Sequence, residues 1–302
     1  MPHLEEVAGK YLELQERACD IIMQTDGSGK FTKDTWKKNI GYGITRVMAE
    51  GSIIKKGAIN FSKVSGRLSE KMAQVLEVNS DQFSATGISS IFHAKNPFIP
   101  TIHMNVRYFS TADGMEWFGG GIDLTPIYID RTEARDFHVK IKAVCDKYDR
   151  TFYDRFKPWA DDYFFLPHRD ETRGVGGIFF DRQQPSAACD FQNWFNFTIE
   201  LATLYPDLYA QLMKKNGNLP YGEQHKKWQK LRWGRYVEFN LIYDRGTKFG
   251  LESGGNTESI LVSMPPEANW NYNFVPERHA EEEKTQQLLK KGIDWINFEQ
   301  KK

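Results

Sequence analysis

The segment IFHAKNPFIPTIHMNVRYF, residues 91–109, ends in a strict alternation of polar and apolar side chains. Because side chains alternate across a β-strand, one face of this predicted strand carries Thr101, His103, Asn105 and Arg107. An imidazole, an amide and a guanidinium can each donate hydrogen bonds to an anion, and the charged, forked guanidinium suits a carboxylate. The pattern therefore predicts a site for an acidic ligand, although a half-exposed antiparallel strand with a solvated outer face would show the same alternation.

Two glycine-rich segments could contribute to the same site. In FGGGIDLTP, residues 118–126, three consecutive glycines would let the backbone approach a flat ligand, and Asp123 follows them closely. The segment DRGTKFGLESGGN, residues 244–256, again places charged residues beside paired glycines. A β-bulge with a solvated aspartate and a hairpin with a polar loop are the alternative explanations.

Other kinds of chemistry find little support. The intervals between His93, His103, His138 and His168 match no short metal-binding motif. The GSGK segment lacks both the upstream glycine and the following Ser or Thr of a phosphate-binding P-loop. No serine lies in a nucleophile elbow, and Cys189 lies in no activated thiol motif. We therefore expect no organic cofactor.

The totals of the sequence exclude several classes of protein. The chain has 302 residues and no low-complexity linker, which predicts a single domain over residues 1–302. Forty basic residues balance forty acidic ones, so no global charge favours nucleic acid or anionic lipid as a partner. Three widely spaced cysteines, no apolar signal or transit segment and no membrane-spanning run predict a cytoplasmic protein.

Around these residues the sequence predicts a mixture of strands and helices without a regular βαβ repeat. A turn is predicted at 26–36, followed by a pair of strands within 41–66. Single strands are predicted at 83–94, at 101–110 and at the end of 161–182. Two or three more strands are predicted within 234–266. Helices are predicted at 4–24, 67–80, 130–156, 189–215 and 276–298. This mixture favours an α+β fold with an antiparallel sheet covered by helices.

Several segments together resemble the oxygen-dependent coproporphyrinogen III oxidase family. They occur in the family's order between about residues 30 and 270 and read HMNVRYF, WFGGGIDLTPIY, DDYFFLPHR, RGVGGIFFDR, GRYVEFNLIYDRGTKFGL and TESILVSMPP. The resemblance implies a large flat antiparallel sheet of about seven strands, covered on both faces by α-helices, and a homodimer. It also implies the oxygen-dependent oxidative decarboxylation of two propionates of coproporphyrinogen III, with O2 as co-substrate. A non-catalytic tetrapyrrole carrier is the alternative.

The resemblance also implies roles for single residues. His103 would be the proton donor, Asp123 would face the pyrrole nitrogens, and Arg107 would hold a propionate. Substrate contacts are implied for Ser89, Asn105, Val106, Arg107, Gly119, Gly120, Gly121, Gly254, Gly255 and Asn256.

Two further implications concern a metal and a departure from the family pattern. In some relatives His93, His138 and His168 correspond to metal ligands, and with His103 they are the candidate ligands of Mn2+ here. Many relatives have an arginine where this chain has Asn256, which predicts a weaker or displaced propionate contact at that position.

Overall fold

A seven-stranded antiparallel sheet forms the centre of the computed structural model, which describes residues 3–68, 70, 73–74, 77–252 and 254–298. The strands follow one another in space in the order β1, β2, β3, β4, β5, β6 and β9. Their bounds are β1 Phe31–Lys38, β2 Gly41–Ala49, β3 Ile54–Arg67, β4 Gln82–Ala94, β5 Thr101–Thr111, β6 Glu116–Thr125 and β9 Gly176–Gln183. The short strands β7 (Phe165–Leu166) and β8 (Glu171–Thr172) form a separate pair.

Helices cover both faces of the sheet. One face packs against α1 (Leu4–Asp26), α2 (Arg131–Tyr148), α3 (Phe152–Tyr163) and α4 (Phe191–Asn216). The other face is covered by α5 (Glu223–Ile242), α6 (Arg245–Glu252) and α7 (Thr257–Leu261), and α8 (Glu281–Gln287) follows near the end. The predicted α+β fold with an antiparallel sheet between helices is confirmed. No helix in the described part of the chain is long and apolar enough to cross a membrane.

The alternation on β5 explains why the sheet has one apolar and one polar face. Ile102, Met104, Val106 and Tyr108 are each at most 1% exposed and belong to the main core, with side chains from α1 and α4. Burial of each such side chain stabilises the fold by about 1.5–3 kcal/mol. Because this face must stay buried, the register of β5 is fixed and its polar residues point to the opposite side.

Aspartates mark the starts of two helices. The carboxylate of Asp130 accepts a hydrogen bond from the Glu133 N–H at 3.0 Å, and that of Asp190 accepts one from the Asn193 N–H at 2.8 Å. Each bond satisfies a backbone donor that the first helical turn leaves without a partner. The predicted start of a helix at Asp130 is confirmed.

The predicted single helix 130–156 is wrong, because the chain breaks it into α2 and α3. Asp149 adopts an extended conformation, and its carboxylate accepts the Thr151 N–H at 2.7 Å. An aspartate side chain that bonds the nearby backbone in this way competes with the helical hydrogen bonds. The apolar stripe is thus divided, but Phe137 of α2 and Phe156 of α3 both enter the core.

Three other predictions of secondary structure need correction. The strands predicted within 234–266 are wrong, because this stretch forms the C-terminal part of α5 and all of α6 and α7. The closing helix predicted at 276–298 is limited to Glu281–Gln287. The turn predicted at 26–36 contains the start of β1, an edge strand whose mostly exposed side chains give little apolar periodicity. Five positions of the predicted helix 67–80 lie outside the described residues, so that helix stays a prediction.

Candidate active site

The register of the sheet collects most of the predicted site residues on its polar face. His103 pairs with Asp123, Asn105 with Ser89 and Gly121, and Arg107 with Gly119. Because residues directly opposite each other point to the same side of a sheet, these side chains form one surface.

Two predicted substrate contacts have their side-chain positions on the other face. The side chain of Val106 is 1% exposed and lies in the main core. Gly120, which pairs with Val106, also belongs to that face. Any contact from either residue to a ligand on the polar face would therefore be made by the backbone.

A buried carboxylate lies at the centre of the polar face. Asp123 is 2% exposed and accepts a hydrogen bond from His103 Nδ1 at 3.0 Å. The Nη2 group of Arg173 donates to both of its oxygens, at 2.8 and 2.9 Å. Burial opposes the ionised form, but the charge of Arg173 and the hydrogen bond from His103 outweigh it, so the pKa of Asp123 lies below its usual value. Asp123 is therefore ionised at neutral pH.

The ionised carboxylate fixes the tautomer of His103. A carboxylate can only accept hydrogen bonds, so Nδ1 of His103 must carry the proton that it donates. The other ring nitrogen, Nε2, has no hydrogen-bond partner in the described part of the chain. That nitrogen can accept or deliver a proton at the surface of the site.

Arg173 is a residue of the site that our sequence reasoning missed. Its guanidinium is stacked among Phe164, Tyr236 and Phe239, with ring centroids 4.4–4.6 Å from Cζ. It is 2% exposed, so its charge is stabilised chiefly by Asp123 and the ring faces. Arg173 lies fifty residues beyond Asp123, and only its place in the RGVGG segment could have drawn attention to it.

Arg107 is held at the edge of the site by a second carboxylate. Its Nη2 group donates to Asp181 Oδ1 at 2.8 Å, while the side chain remains 40% exposed. A Cβ atom at Gly119 would lie 2.7 Å from the same Asp181 oxygen and 2.9 Å from Arg107 Nε. The glycine at 119 is therefore needed for this close approach, and the exposed part of the guanidinium can bind an anion.

A second ionised carboxylate faces the polar side of the sheet from the N-terminus of α6. Asp244 accepts hydrogen bonds at 2.7 Å from the Tyr163 hydroxyl and from both the N–H and the hydroxyl of Thr247. Burial raises the pKa of Asp244, but these hydrogen bonds outweigh it and hold the pKa below its usual value. Sequence reasoning also missed this residue, although an aspartate three positions before a threonine is a common helix start.

Comparison with known proteins places the chain in a family. The family model described as coproporphyrinogen III oxidase matches residues 6–295. The chain belongs to this family. The oxygen-dependent coproporphyrinogen-III oxidase of Francisella tularensis subsp. mediasiatica is 44% identical over 298 residues, which cover 94% of this chain and 96% of the relative. Coproporphyrinogen-III oxidase 1, chloroplastic, of Arabidopsis thaliana is also 44% identical over 298 residues, or 93% of this chain and 76% of that relative.

The loop 254–256, predicted from the family pattern, lies over the far end of the polar face. The carbonyl oxygens of Gly254 and Gly255 accept hydrogen bonds from Lys38 Nζ at 2.6 and 2.9 Å. In α7, just after the loop, Ser259 bonds the Thr45 hydroxyl at 2.6 Å. The Asn60 side-chain amide donates a hydrogen bond to the Ser259 carbonyl oxygen at 2.9 Å. The loop is thus at β1 to β3, whereas His103 and Arg107 lie on β5.

Two of the four histidines predicted as candidate Mn2+ ligands are buried and fully bonded. His93 contacts the Thr101 hydroxyl at 3.1 Å and the Ser263 carbonyl oxygen at 2.9 Å. His138 contacts the Tyr153 hydroxyl at 2.8 Å and the carbonyl oxygen of Val175 at 3.0 Å. Burial lowers the pKa of each imidazole to about 3.

The other two candidate ligands lie elsewhere. His168 contacts the Tyr243 hydroxyl at 2.8 Å and a Glu238 oxygen at 2.7 Å, and His103 contacts Asp123. Within residues 3–298, apart from those outside the description, no three His, Cys, Asp or Glu side chains are grouped to hold a metal ion. The four histidines therefore do not fit a shared metal.

Proposed function

We propose that this protein catalyses the oxygen-dependent conversion of two propionate side chains of coproporphyrinogen III to vinyl groups, giving protoporphyrinogen IX. For each propionic acid group, one O2 is reduced to H2O2, one CO2 leaves and one carbon–carbon double bond forms. The observation that carries the proposal is a buried, ionised Asp123 beside His103, on a sheet face that also carries Arg107. The names of the relatives point to the same reaction.

Asp123 would act on the tetrapyrrole ring. As electrons leave the ring for oxygen, positive charge develops on the pyrroles, and a fixed anion close by stabilises that charge. The hydrogen bonds from His103 and Arg173 hold the carboxylate in place before the reaction begins. We therefore assign Asp123 the role of polarising the ring, with Arg173 as its positioning residue.

His103 would deliver a proton. The propionate enters ionised, so one of the two protons of H2O2 must come from the site. Because Nδ1 of His103 donates to Asp123, Nε2 can deliver a proton only from the doubly protonated imidazolium, which takes that proton up from solvent before the transfer. Proton transfer from His103 therefore completes the balance of the reaction.

The neighbouring residues would bind the substrate. Arg107 offers a charged donor for a propionate, and Ser89 and the amide of Asn105 lie beside it. Oδ1 of Asn105 is buried and has no hydrogen-bond partner among the described residues. This oxygen can accept a hydrogen bond from a pyrrole N–H group of a porphyrinogen. We propose that Asn105 contacts the ring as well as a side arm.

The deciding experiment is anaerobic mixing of chelator-treated protein with coproporphyrinogen III, followed by admission of oxygen. The products are oxidised to porphyrins and separated by chromatography, with and without added Mn2+. Protoporphyrin together with the tricarboxylic intermediate, formed at equal rates in both samples, is the expected result. Binding without oxygen consumption would support the carrier alternative, and product only with Mn2+ would return the four histidines to the mechanism.

We also propose a homodimer. Among the described residues, most of the exposed large apolar side chains belong to residues 241–275: Leu241, Ile242, Leu251, Trp270, Tyr272 and Val275. We infer that these side chains form one patch, because a contiguous exposed apolar patch is typical of a surface that another protein covers. A second copy is the partner that the family resemblance implies.

Two remaining proposals concern organisation and compartment. We propose that residues 1–302 form one domain, because the main core joins α1, α4 and the sheet. We propose a cytoplasmic location, because Cys19, Cys145 and Cys189 are buried free thiols. For a single domain the expected result is one unfolding transition. For a cytoplasmic location the expected result is recovery of the protein in the soluble cytoplasmic fraction.

A further inference from the structure

A shallow trough of small residues crosses the polar face from β5 to β1. The direct pairings of the strands align one row across the sheet: Trp36, Gly43, Ser62, Gly87, Arg107 and Gly119. Between Trp36 and Arg107 this row presents only glycine and serine, so the floor of the trough is low. On one side Phe109, packed on Trp117, borders the trough. On the other side a polar row of Thr45, Asn60, Ser89 and Asn105 separates it from Ala58 and Ile91, which pack under Tyr236.

The trough has a cationic group near each end. Arg107 is on β5, and Trp36 and Lys38 are on β1, four strand spacings away, or about 19 Å between backbones. Both Trp36 and Lys38 point to the polar face, because Trp36 pairs with Gly43 and Lys38 with Gly41. An apolar macrocycle with carboxylates on opposite sides matches this arrangement of charges.

Trp36 forms the wall at the β1 end. A Cβ atom at Gly43 would lie 2.3 Å from Cζ2 of the Trp36 indole. The indole therefore lies down across the position of Gly43, toward the trough, and is partly exposed. An aromatic face in this position can pack against a pyrrole ring.

Lys38 retains the capacity to bind an anion. An ammonium has three N–H donors, and Lys38 uses two of them for the carbonyl oxygens of Gly254 and Gly255. No carboxylate of the described residues lies within 4 Å of its nitrogen, so its charge is not neutralised. The same loop continues to Asn256, which is uncharged.

From these contacts we propose that Lys38 and Trp36 form a second propionate subsite, in which Lys38 supplies the charge that the loop 254–256 lacks. Lys38 binds the carboxylate, the two loop carbonyls fix the direction of its third donor, and Trp36 packs on the ring. The inference rests on the proposed function, since the propionate belongs to the substrate of that reaction.

The test compares Lys38→Gln with Lys37→Gln, the adjacent lysine whose side chain points to the other face of β1. Loss of one charge-assisted contact should raise KM for coproporphyrinogen III about tenfold in Lys38→Gln, with kcat within about twofold. Lys37→Gln should match the wild type. Equal KM values for the two variants would overturn the subsite.

A charge-relocation variant separates charge from tethering of the loop. Asn256→Arg in the Lys38→Gln background restores a cation to the loop without restoring the lysine. Recovery of KM is the expected result, and no recovery would mean that Lys38 acts only by tethering the loop.

A binding measurement keeps the subsite and the reaction distinguishable. Calorimetric titration with coproporphyrin III, the oxidised tetracarboxylic ring, needs no turnover. Weaker binding by Lys38→Gln, but not by Lys37→Gln, would support the subsite even in a protein that forms no product. Equal binding by the wild type, Lys38→Gln and Lys37→Gln would overturn the subsite. The proposed function is tested separately, by the activity of the wild-type protein.

Discussion

Asp123 is the residue on which the proposed chemistry depends most. Asp123→Asn keeps the shape of the side chain and removes its charge, so stabilisation of positive charge on the ring is lost. We expect kcat to fall by at least about a hundredfold, with binding of coproporphyrin III retained. Steady-state oxygen consumption and calorimetric binding measure the two quantities, and the exposed Asp20→Asn is the control.

The same substitution leaves Arg173 buried without its counter-charge, so a fold defect must be separated from a chemical one. Arg173→Lys keeps a positive charge next to Asp123 and should retain a larger share of kcat than Asp123→Asn. Full turnover by a folded Asp123→Asn protein would contradict the assigned role.

The buried histidines predict a pH dependence of stability. In the folded protein burial lowers the pKa of His93 and of His138 to about 3. In the unfolded chain each imidazole takes up a proton below about pH 6.5, so this stability is complete above that pH and is lost as the pH falls toward 3. Each histidine should lower the free energy of unfolding by about 2 kcal/mol between pH 7 and pH 5.

Denaturant unfolding at both pH values, at one protein concentration, checks this prediction. His138→Gln should reduce the difference between the two pH values by about 2 kcal/mol. The exposed His279→Gln should leave it unchanged. An unchanged difference in His138→Gln would mean that this imidazole is not buried and neutral in the folded protein.

At the scale of elements, the glycines of β6 allow β9 to bring Asp181 to Arg107. A Cβ atom at position 119 would lie under 3 Å from both side chains. Gly119→Ala should therefore displace Arg107 and raise KM several-fold, with a smaller effect on kcat. In Gly9→Ala, where a Cβ on α1 has nothing within 4 Å, KM should be unchanged and stability equal or higher by about 0.5–1 kcal/mol. An unaltered KM in Gly119→Ala would show that the Arg107–Asp181 geometry does not matter for binding.

The helices α5, α6 and α7 show why element type was hard to predict in the last third of the chain. The stretch RYVEFNLIY is rich in aromatic and β-branched residues, which favour strands. In α5, however, burial recurs at Trp228, Arg232, Tyr236 and Phe239, a helical period that includes a charged residue. Arg232 is buried because it pairs with Glu171 of β8. A partner so distant along the chain leaves no local signal.

At the scale of the whole molecule, the exposed apolar residues predict how two copies meet. Tyr272 is 96% exposed and Val275 is 79% exposed, both in residues 241–275. Tyr272→Asp with Val275→Asp should place charges in the interface and convert the dimer to a monomer. Val139→Asp, at an exposed apolar residue of α2, should leave the dimer intact. Light scattering after size-exclusion chromatography measures the mass, and a wild-type monomer would contradict the proposed dimer.

The strand that carries the site was predictable from its local pattern alone. An alternation with period two reports which residues share a face, and this is a local property of the chain. It placed His103, Asn105 and Arg107 together, and the signature segments added Asp123 and the family. The antiparallel α+β architecture followed from the order of strand-like and helix-like segments.

The residues that surround this strand were not predictable in the same way. The pairing of Asp123 with Arg173, of Arg107 with Asp181 and of Lys38 with the loop 254–256 joins segments that are distant along the chain. Their contacts arise from strand register and from helices packed on the polar face. Periodicity describes one segment at a time, so it cannot report which segments will meet.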